Sequence, residues 1–396
     1  MAARRGPRLL LAVGVLAGLG NAVVFPATHP EQVALASDVY YAAGRAALHG
    51  RGLYVGPGFL YPPPVVALFV PHAVLGDPVL AFALQTAVNL ACLAGVAVVA
   101  VRLAERAGAA LAPVDRALVV AFAVASPLPV VNLVNGQVNP VLALAVGAGV
   151  LALEADRRAA GGAAFGFAAL VKLFPALVGA WLLRRRAWRA IAAATAAGVL
   201  ALLAGVLVFG PGAYETYVTD VLTGQMSSGS FPDGPDPTAP YATVRRQLAL
   251  LAPGLSGAGL LAASLAVVAP AVAAANRRVA TLTDRLVALQ GTLSGVLLAF
   301  PLEPFYRVLA FATLLPLLYL LDGRSRRLLL AGALLVAVPV AYAAVALLAD
   351  LAVLPPSVSA VVLDAARAVF SVVLPPTVGS WLVLAGCVTH QFRAAR

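Results

Sequence analysis

The chain has 396 residues, a formal net charge of +11, 62% hydrophobic residues and 11% charged ones, with a mean hydropathy of +0.96. These values exclude an ordinary soluble domain, and the apolar runs of roughly 20 residues that recur from end to end are each long enough to cross about 30 Å of hydrocarbon. The positive charge does not indicate nucleic acid, because the arginines stand at the ends of apolar runs. Cys92 and Cys387, far apart inside such runs, support neither a disulfide framework nor a zinc site. The expected class is all-α, a polytopic membrane protein with residues 1–396 in a single integral membrane domain.

The chain opens with MAARRGPRLLLAVGVLAGLGNAVVF, a basic stretch and an apolar one, which reads as an uncleaved signal anchor with a cytoplasmic N-terminus. A hydrophilic loop over 27–61 follows on the external side. In SDVYYAAGRAALHGRGLY, Ser37 is expected to cap a short helix that Gly50 ends, with Asp38 in its first turn. Helical spacing sets Asp38, Tyr41, Arg45 and His49 near one face and leaves Tyr40, Ala43, Ala47 and Leu48 to lie on the membrane surface. A first-turn Asp is held as a carboxylate by the helix N-terminus, which suits a general base for a substrate hydroxyl. The plainer reading is an Asp that only complements the helix dipole.

Apolar segments at 62–75, 78–101, 116–133 and 138–153 come next, the last two flanking VNLVNGQVNPVLAL. There Asn132, Asn135, Gln137 and Asn139 either bind a hydroxyl-rich ligand or satisfy the backbone at a tight turn. The segment 161–183 carries Lys172, the sole lysine of the chain. Twelve positions separate it from Arg184, about 18 Å of helix rise, which places it near mid-membrane. Pro175 should kink the helix beside it by freeing the carbonyl of Val171. An ionisable group at that depth is a functional residue by default; its partner is an anion such as a lipid phosphate, or else an internal carboxylate in a structural ion pair.

After a segment at 188–209, residues 210–245 form a second external loop, so dense in Gly, Pro, Ser and Asp that no fixed helix or strand is expected across its centre. Segments at 248–275, 282–300, 305–321, 328–348 and 361–388 complete the chain. At the turn before 305–321, Glu303 and Arg307 have i,i+4 spacing for an ion pair. Counting every segment as a crossing gives about twelve spans and leaves Arg102, Arg106, Arg116, Arg157 and Arg158 outside; making 62–75 and a segment near Lys172 re-entrant brings them all in, so about ten to twelve spans are expected. His29, His49, His72 and His390 are too scattered for a metal, and no phosphate loop is present, so no metal or cofactor is expected.

Read in order, SDVYYAAGRAALHGRGLY, FLYPPPVVALFVPHAVL, NGQVNPVLALAVGAGVLAL and AGGAAFGFAALVKLFPALVGAWLLRRRAWRA resemble glycosyltransferase family 87, membrane mannosyltransferases with the GT-C fold. The resemblance covers roughly residues 35–190. It implies a GT-C-like bundle with an external interfacial helix, and that Asp38 matches the family's catalytic carboxylate while Lys172 lies in its lysine segment. It also implies a polyprenyl-phosphate sugar donor, usually polyprenyl-phosphate mannose, used at the outer face without nucleotide or metal. The family often carries Asn-Gln-Ser after the large loop and a histidine-bearing turn before a late span, where this chain has GQMSSG and EPFYR.

The expectation is thus a cell-membrane, multi-pass hexosyltransferase with its active site facing outside. It would act on a lipid-linked or glycan acceptor and contact membrane lipids but not nucleic acid. Asp38 is the catalytic candidate; Tyr40, Tyr41, Arg45, Tyr61, Asn135, Gln137, Asn139, Lys172, Glu303 and Arg307 are the substrate-binding candidates. The alternative, a transporter or flippase of lipid-linked sugars, calls for repeat symmetry that the sequence does not display.

Overall fold

The computed structural model describes residues 2–54, 58–227, 229–337, 341–350 and 355–393, and among these the chain is helical with no strand. In chain order the first helices are α1 (Ala2–Thr28), α2 (Leu35–Leu48), α3 (Val70–Val74), α4 (Pro78–Arg106), α5 (Pro113–Ala125), α6 (Pro127–Asn135) and α7 (Asn139–Glu154). They are followed by α8 (Arg158–Val171), α9 (Gly179–Arg184), α10 (Trp188–Thr216), α11 (Thr223–Ser227), α12 (Arg245–Leu251) and α13 (Gly257–Ala275). The last are α14 (Leu282–Ala299), α15 (Phe311–Leu320), α16 (Gly323–Ala337), α17 (Tyr342–Asp350), α18 (Pro356–Val372) and α19 (Pro375–Gln391). Local chemistry sets several starts: Asp77 accepts from the N–H groups of Val79 (2.7 Å) and Leu80 (3.0 Å) ahead of Pro78, and Thr281 with Asp284 forms a capping box on α14.

Among the described residues five helices are long and apolar enough to cross a membrane: Arg5–Thr28, Pro78–Arg106, Pro113–Asn135, Trp188–Gln225 and Gly257–Ala275. The bent pairs Gly323–Ala337 with Tyr342–Ala349 and Pro356–Val372 with Pro375–Gln391 raise the number to seven. The expected span at 328–348 runs over residues 338–340, which lie outside the described residues. Other apolar runs of the sequence fold as shorter helices, among them Pro63–Val74, Asn139–Glu154, Arg158–Val171, Phe174–Arg184 and Pro304–Leu320. Prolines explain three of these: Pro63–Phe69, Phe174–Val178 and Pro304–Ala310 are 3-10 turns that begin at or next to a proline.

The core is built around α14, in which every residue from Leu286 to Ala299 is buried, the pattern of a helix enclosed on all sides. Against it pack α13, α15 and α19. Elsewhere small residues bring backbones together: a Cβ at Gly166 would stand 2.6 Å from the carbonyl oxygen of Ala194, and one at Gly162 would meet that of Ala190. These two glycines, one helical turn apart, let α8 press directly on α10. In contrast α10 exposes Leu200, Leu203, Leu207 and Val208, a surface suited to lipid.

Ion pairs and carbonyl contacts gather the arginine-bearing helix ends together. Arg8 of α1 pairs with Asp115 at 2.7 Å, Arg116 with Glu105 at 2.7 Å, and Glu154 at the end of α7 with both Arg185 and Arg285. Arg184 donates to the carbonyls of Asn276 and Arg277, and Arg393 pairs with Asp322. Both the start of α8 and the end of α9 lie in this group, so the chain through Lys172 runs away from the arginines and returns. The helices of 62–75 likewise do not carry the chain across, since α4 ends at Arg106 among the arginines.

The second hydrophilic stretch departs from expectation. Gly210 (φ 75°, ψ 167°) kinks α10 next to Pro211, but the helix resumes, passes through a π-helical turn at Tyr217–Leu222 and ends with α11 at Ser227. Between Ala213 and Thr223 the sequence holds neither Gly nor Pro, so nothing breaks the helix there; the Gly/Pro/Asp density starts only afterwards, and residues 229–244 contain no helix. Ala242 and Val244 pin the end of this stretch through N–H bonds to the carbonyls of Leu302 (3.1 Å) and Leu298 (3.0 Å).

Candidate functional site

At the end of the bundle opposite the arginines, α2 docks on the turn between α6 and α7. The N–H of Ala34 donates to the carbonyl of Val134 (2.8 Å), and the side-chain amide of Asn135 donates to the carbonyl of Gln32 (2.7 Å). Ser37 does not cap the helix. Ala34, in a left-handed conformation (φ 59°), is the N-cap, and Ser37 is buried inside α2 with its Oγ unpartnered. The tertiary bond from Ala34 to Val134 sets the helix start in place of a local cap. Gly50 (φ 63°) closes the far end as expected.

Asp38 lies in the first turn of α2, exposed, and its carboxylate accepts no hydrogen bond and forms no ion pair among the described residues. Arg45 and His49 are exposed on the same helix, the guanidinium of Arg45 standing 5.8 Å from the Tyr41 ring. Gly136 makes the docking possible: it has φ 69°, and a Cβ there would stand 2.7 Å from the Cβ of Ser37. Gly136→Ala is therefore expected to push α2 off its seat, lowering stability by about 1 to 3 kcal/mol, with limited proteolysis cutting first near residues 29–35.

Tyr40 does not lie on the membrane surface; at 1% exposure it belongs to the core. Its ring stacks on Phe69 at 4.0 Å because docking turns that face of α2 inward. The Tyr40 hydroxyl donates to Oε1 of Gln137 (3.2 Å) and accepts from the N–H of Val138 (3.3 Å). That leaves its 2.7 Å contact with Tyr61 to be donated by the Tyr61 hydroxyl. Behind Gln137 runs a polar chain absent from the sequence-level candidates. Asn89 donates to the carbonyl of Gln137 (2.9 Å), Gln85 to Oδ1 of Asn89 (3.0 Å), and Nε2 of His72 to Oε1 of Gln85 (2.9 Å). Gln85 and Asn89, four apart inside an apolar span, were the signal that could have revealed it. Asn89→Leu should strand the Gln85 amide and the Gln137 carbonyl, costing about 2 to 4 kcal/mol in detergent unfolding, whereas Asn89→Asp should lose less.

Lys172 is not inside a helix. α8 stops at Val171, Lys172 takes an extended conformation (φ −134°, ψ 128°), and the 3-10 turn Phe174–Val178 follows. The break falls before Pro175 because the proline ring would clash with the carbonyl of Val171 if the helix continued. The lysine Nζ donates to the Tyr306 hydroxyl at 2.9 Å and stands 4.0 Å from the Tyr306 ring centre and 5.7 Å from that of Tyr61. Its nearest carboxylate interaction is electrostatic, with Glu303, and no ion pair forms between them. Burial pushes the Glu303 carboxyl above the usual carboxylate range, and Lys172 opposes that shift.

The expected Glu303–Arg307 pair is not formed. The intervening turn is 3-10, so positions four apart are not aligned, and Arg307 instead donates from Nε to Oγ of Ser380 (2.9 Å) and from Nη2 to the carbonyl of Ala242 (2.7 Å). The amides of the 132–139 turn hold protein groups: Asn132 donates to the carbonyls of Leu128 (2.8 Å) and Phe305 (3.1 Å), and Asn139 to Oδ1 of Asn132 (2.9 Å). The structure thus brings Tyr40, Tyr61, Gln137, Lys172 and Glu303 into one cluster, ties it to the 303–307 turn through Asn132 and Asn139, and leaves Asp38, Tyr41 and Arg45 outside it on the same helix as Tyr40.

A cavity of about 370 Å³ lies next to this cluster, between Gly50–Tyr54 and the kinked part of α10, lined also by Phe209, Gly212 and Thr216. Tyr54 links the two, donating from its hydroxyl to the carbonyl of Tyr61 at 2.8 Å. Among the described residues no three His, Cys, Asp or Glu side chains gather as a metal site would. No curated protein matches the chain. The model of glycosyltransferase family 87 matches residues 59–304, a stretch that takes in Tyr61, Gln137, Lys172 and Glu303, with Asp38 before it and Arg307 after.

Proposed function

The chain belongs to glycosyltransferase family 87 and is a membrane glycosyltransferase, and from that premise we propose that it transfers a hexose, mannose by family resemblance, from a polyprenyl-phosphate donor to a lipid-linked or glycan acceptor. The observation that carries this reading is Lys172: a half-buried amine between two tyrosine rings, with no ion pair among the described residues, where a phosphate can dock. In the proposed reaction Asp38 takes the proton from the acceptor hydroxyl as its oxygen bonds to the anomeric carbon. The bond from that carbon to the phosphate oxygen breaks, and the electron pair leaves on polyprenyl phosphate, whose charge Lys172 and the Tyr306 hydroxyl stabilise. The 370 Å³ cavity beside Tyr54 is of a size for a sugar or the first isoprene units.

The same reading takes the fold as a GT-C-like bundle of about ten to twelve spans, with α2 as an external interfacial helix and the site facing outside. The gathering of arginines at the other end supports this orientation through the positive-inside rule. It is tested by Gly50→Cys and Gly234→Cys, at two glycines with no neighbour within 4 Å of an added Cβ. Both cysteines should react with a membrane-impermeant maleimide in intact cells over a low background, since Cys92 and Cys387 are buried. Labelling only after permeabilisation would invert the topology. For the chemistry, purified protein given polyprenyl-phosphate mannose and a membrane extract as acceptor should release polyprenyl phosphate; turnover of a nucleotide sugar in its place would refute the donor assignment.

A further inference from the structure

Volume alone admits several ligands to the cavity of about 370 Å³ between Gly50–Tyr54 and α10; its depth in the membrane and its charge narrow the choice. α10 starts at Trp188, directly after the arginine run at 184–186, and Phe209 stands 21 positions further on, about 32 Å of helix rise. That matches the thickness of a hydrocarbon core. The helix therefore reaches the headgroup layer opposite the arginine end just where Gly210 (φ 75°, ψ 167°) and Pro211 break it.

Beyond the break the chain bends sharply. The Tyr214 hydroxyl donates to the carbonyl of Leu202 at 2.6 Å, although a straight helix would separate these residues by about 18 Å of rise. Gly205 leaves the space for this bond, since a Cβ there would collide with the Tyr214 hydroxyl. Further along, the Gln225 amide donates to the carbonyl of Leu60 (2.9 Å) and the Tyr217 ring lies 6.2 Å from that of Tyr54. These contacts hold the bent segment beside Gly50–Tyr54. The space between is open: an added Cβ at Gly50 or Gly212, both of which line it, would meet nothing within 4 Å.

Arg51 supplies the charge. The left-handed Gly50 (φ 63°) and a bond from the Arg51 N–H to the carbonyl of Ala46 (2.8 Å) set it just past the end of α2. Its side chain is exposed and forms no ion pair among the described residues. No carboxylate lines the cavity, and Glu215, next to the lining Thr216, does not pair with Arg51. On the membrane side, Leu207 and Val208 adjoin the lining Phe209 and are 87% and 72% exposed. An unpaired guanidinium at headgroup depth, with lipid-facing apolar side chains directly beneath, fits an amphiphile with a phosphate head, which arginine can hold through two parallel bonds. The Tyr54 and Thr216 hydroxyls give their protons to the carbonyls of Tyr61 (2.8 Å) and Gly212 (3.1 Å), which leaves their lone pairs for hydroxyls of the head.

We propose that this cavity binds the phosphodiester headgroup of an anionic membrane lipid, with Arg51 on the phosphate and the lipid chains against the exposed face of α10. α2 runs from the site about 15 Å back to Asp38. On the transferase reading above, the occupant is the acceptor lipid, its glycan extending along α2 to Asp38. Only that role rests on the transferase reading; the binding itself does not.

Phosphatidylglycerol serves as the probe. In phosphatidylcholine nanodiscs doped with increasing phosphatidylglycerol, the melting temperature should rise and saturate, while soluble glycerol phosphate, the same head without chains, should have no effect. Arg51→Gln should weaken the apparent affinity about tenfold. Gly212→Leu, which fills the cavity from a position with open space, should abolish the gain yet melt like wild type in phosphatidylcholine alone; Arg51→Gln keeps the test valid if it does not. Phosphatidylglycerol with a photoactivatable group on its head should cross-link within 50–54 or 212–216. No gain, a gain equal in both variants, a gain reproduced by glycerol phosphate, or cross-links confined to other segments overturns the site. Polyprenyl phosphate should still stabilise both variants through Lys172, which separates failure here from failure of the donor reading. Loss of that stabilisation in Gly212→Leu would give the cavity to the donor chain and overturn the proposal.

Discussion

Asp38→Asn is expected to slow sugar transfer by about a hundredfold to ten-thousandfold, the usual contribution of a positioned general base, while leaving expression and unfolding near wild type. The geometry accounts for both halves of this result. Among the described residues the Asp38 carboxylate accepts no hydrogen bond that the asparagine amide could disrupt, and it stands exposed in the first turn of α2, open to an arriving acceptor hydroxyl. The measurement is release of polyprenyl phosphate under single-turnover conditions with donor saturating. Wild-type turnover by Asp38→Asn would remove Asp38 from the chemistry and leave it as a dipole-complementing residue.

Lys172→Met is expected to weaken donor binding by about 1.5 to 3 kcal/mol, roughly tenfold to more than a hundredfold. Methionine keeps the length and apolar packing of the side chain and deletes its charge. In the donor-free protein the change removes one hydrogen bond, to Tyr306, and no ion pair among the described residues, so the melting temperature should move little. Were Lys172 instead a structural counter-ion for Glu303, the variant would leave a buried carboxylate alone and lose several kcal/mol before any donor was added. Unfolding with and without polyprenyl phosphate distinguishes the two: a variant that melts early yet gains full stabilisation from the lipid would end the phosphate-binding role.

How much of this was legible in the sequence follows the range of the interactions. Local signals read correctly: Gly50 closing α2, Asp38 in its first turn, the Gly136 turn, and Pro175 interrupting the lysine segment all depend on residues a few positions apart. The positive-inside argument also offered a chain that turns back at 62–75 and near Lys172 as one of two counts, and the ion pairs of Glu154 with Arg185 and Arg285 hold the two ends of the Lys172 segment at one end of the bundle. What misread was set by distant partners. Tyr40 fell on the wrong face because its orientation comes from Gln137, 97 residues away, and Ser37 lost its capping role to a bond between Ala34 and Val134. Arg307 went to Ser380, 73 residues on, when spacing alone offered Glu303. The His72–Gln85–Asn89 chain was overlooked because each residue is unremarkable until α3, α4 and the 136–138 turn are brought together.

The measurement that tests the central claim most directly follows the sugar and the lipid of one donor molecule separately. Polyprenyl-phosphate mannose, labelled in both the mannose and the polyprenyl chain, is incorporated into sealed vesicles that contain the protein and an acceptor extract, without nucleotide and with a chelator present. A glycosyltransferase at the α2 end separates the labels: mannose moves to the acceptor product, polyprenyl phosphate is released, and Asp38→Asn holds both labels together. Movement of the intact, doubly labelled donor across the bilayer with no separation of the labels would contradict this account and identify the protein as a carrier of lipid-linked sugar.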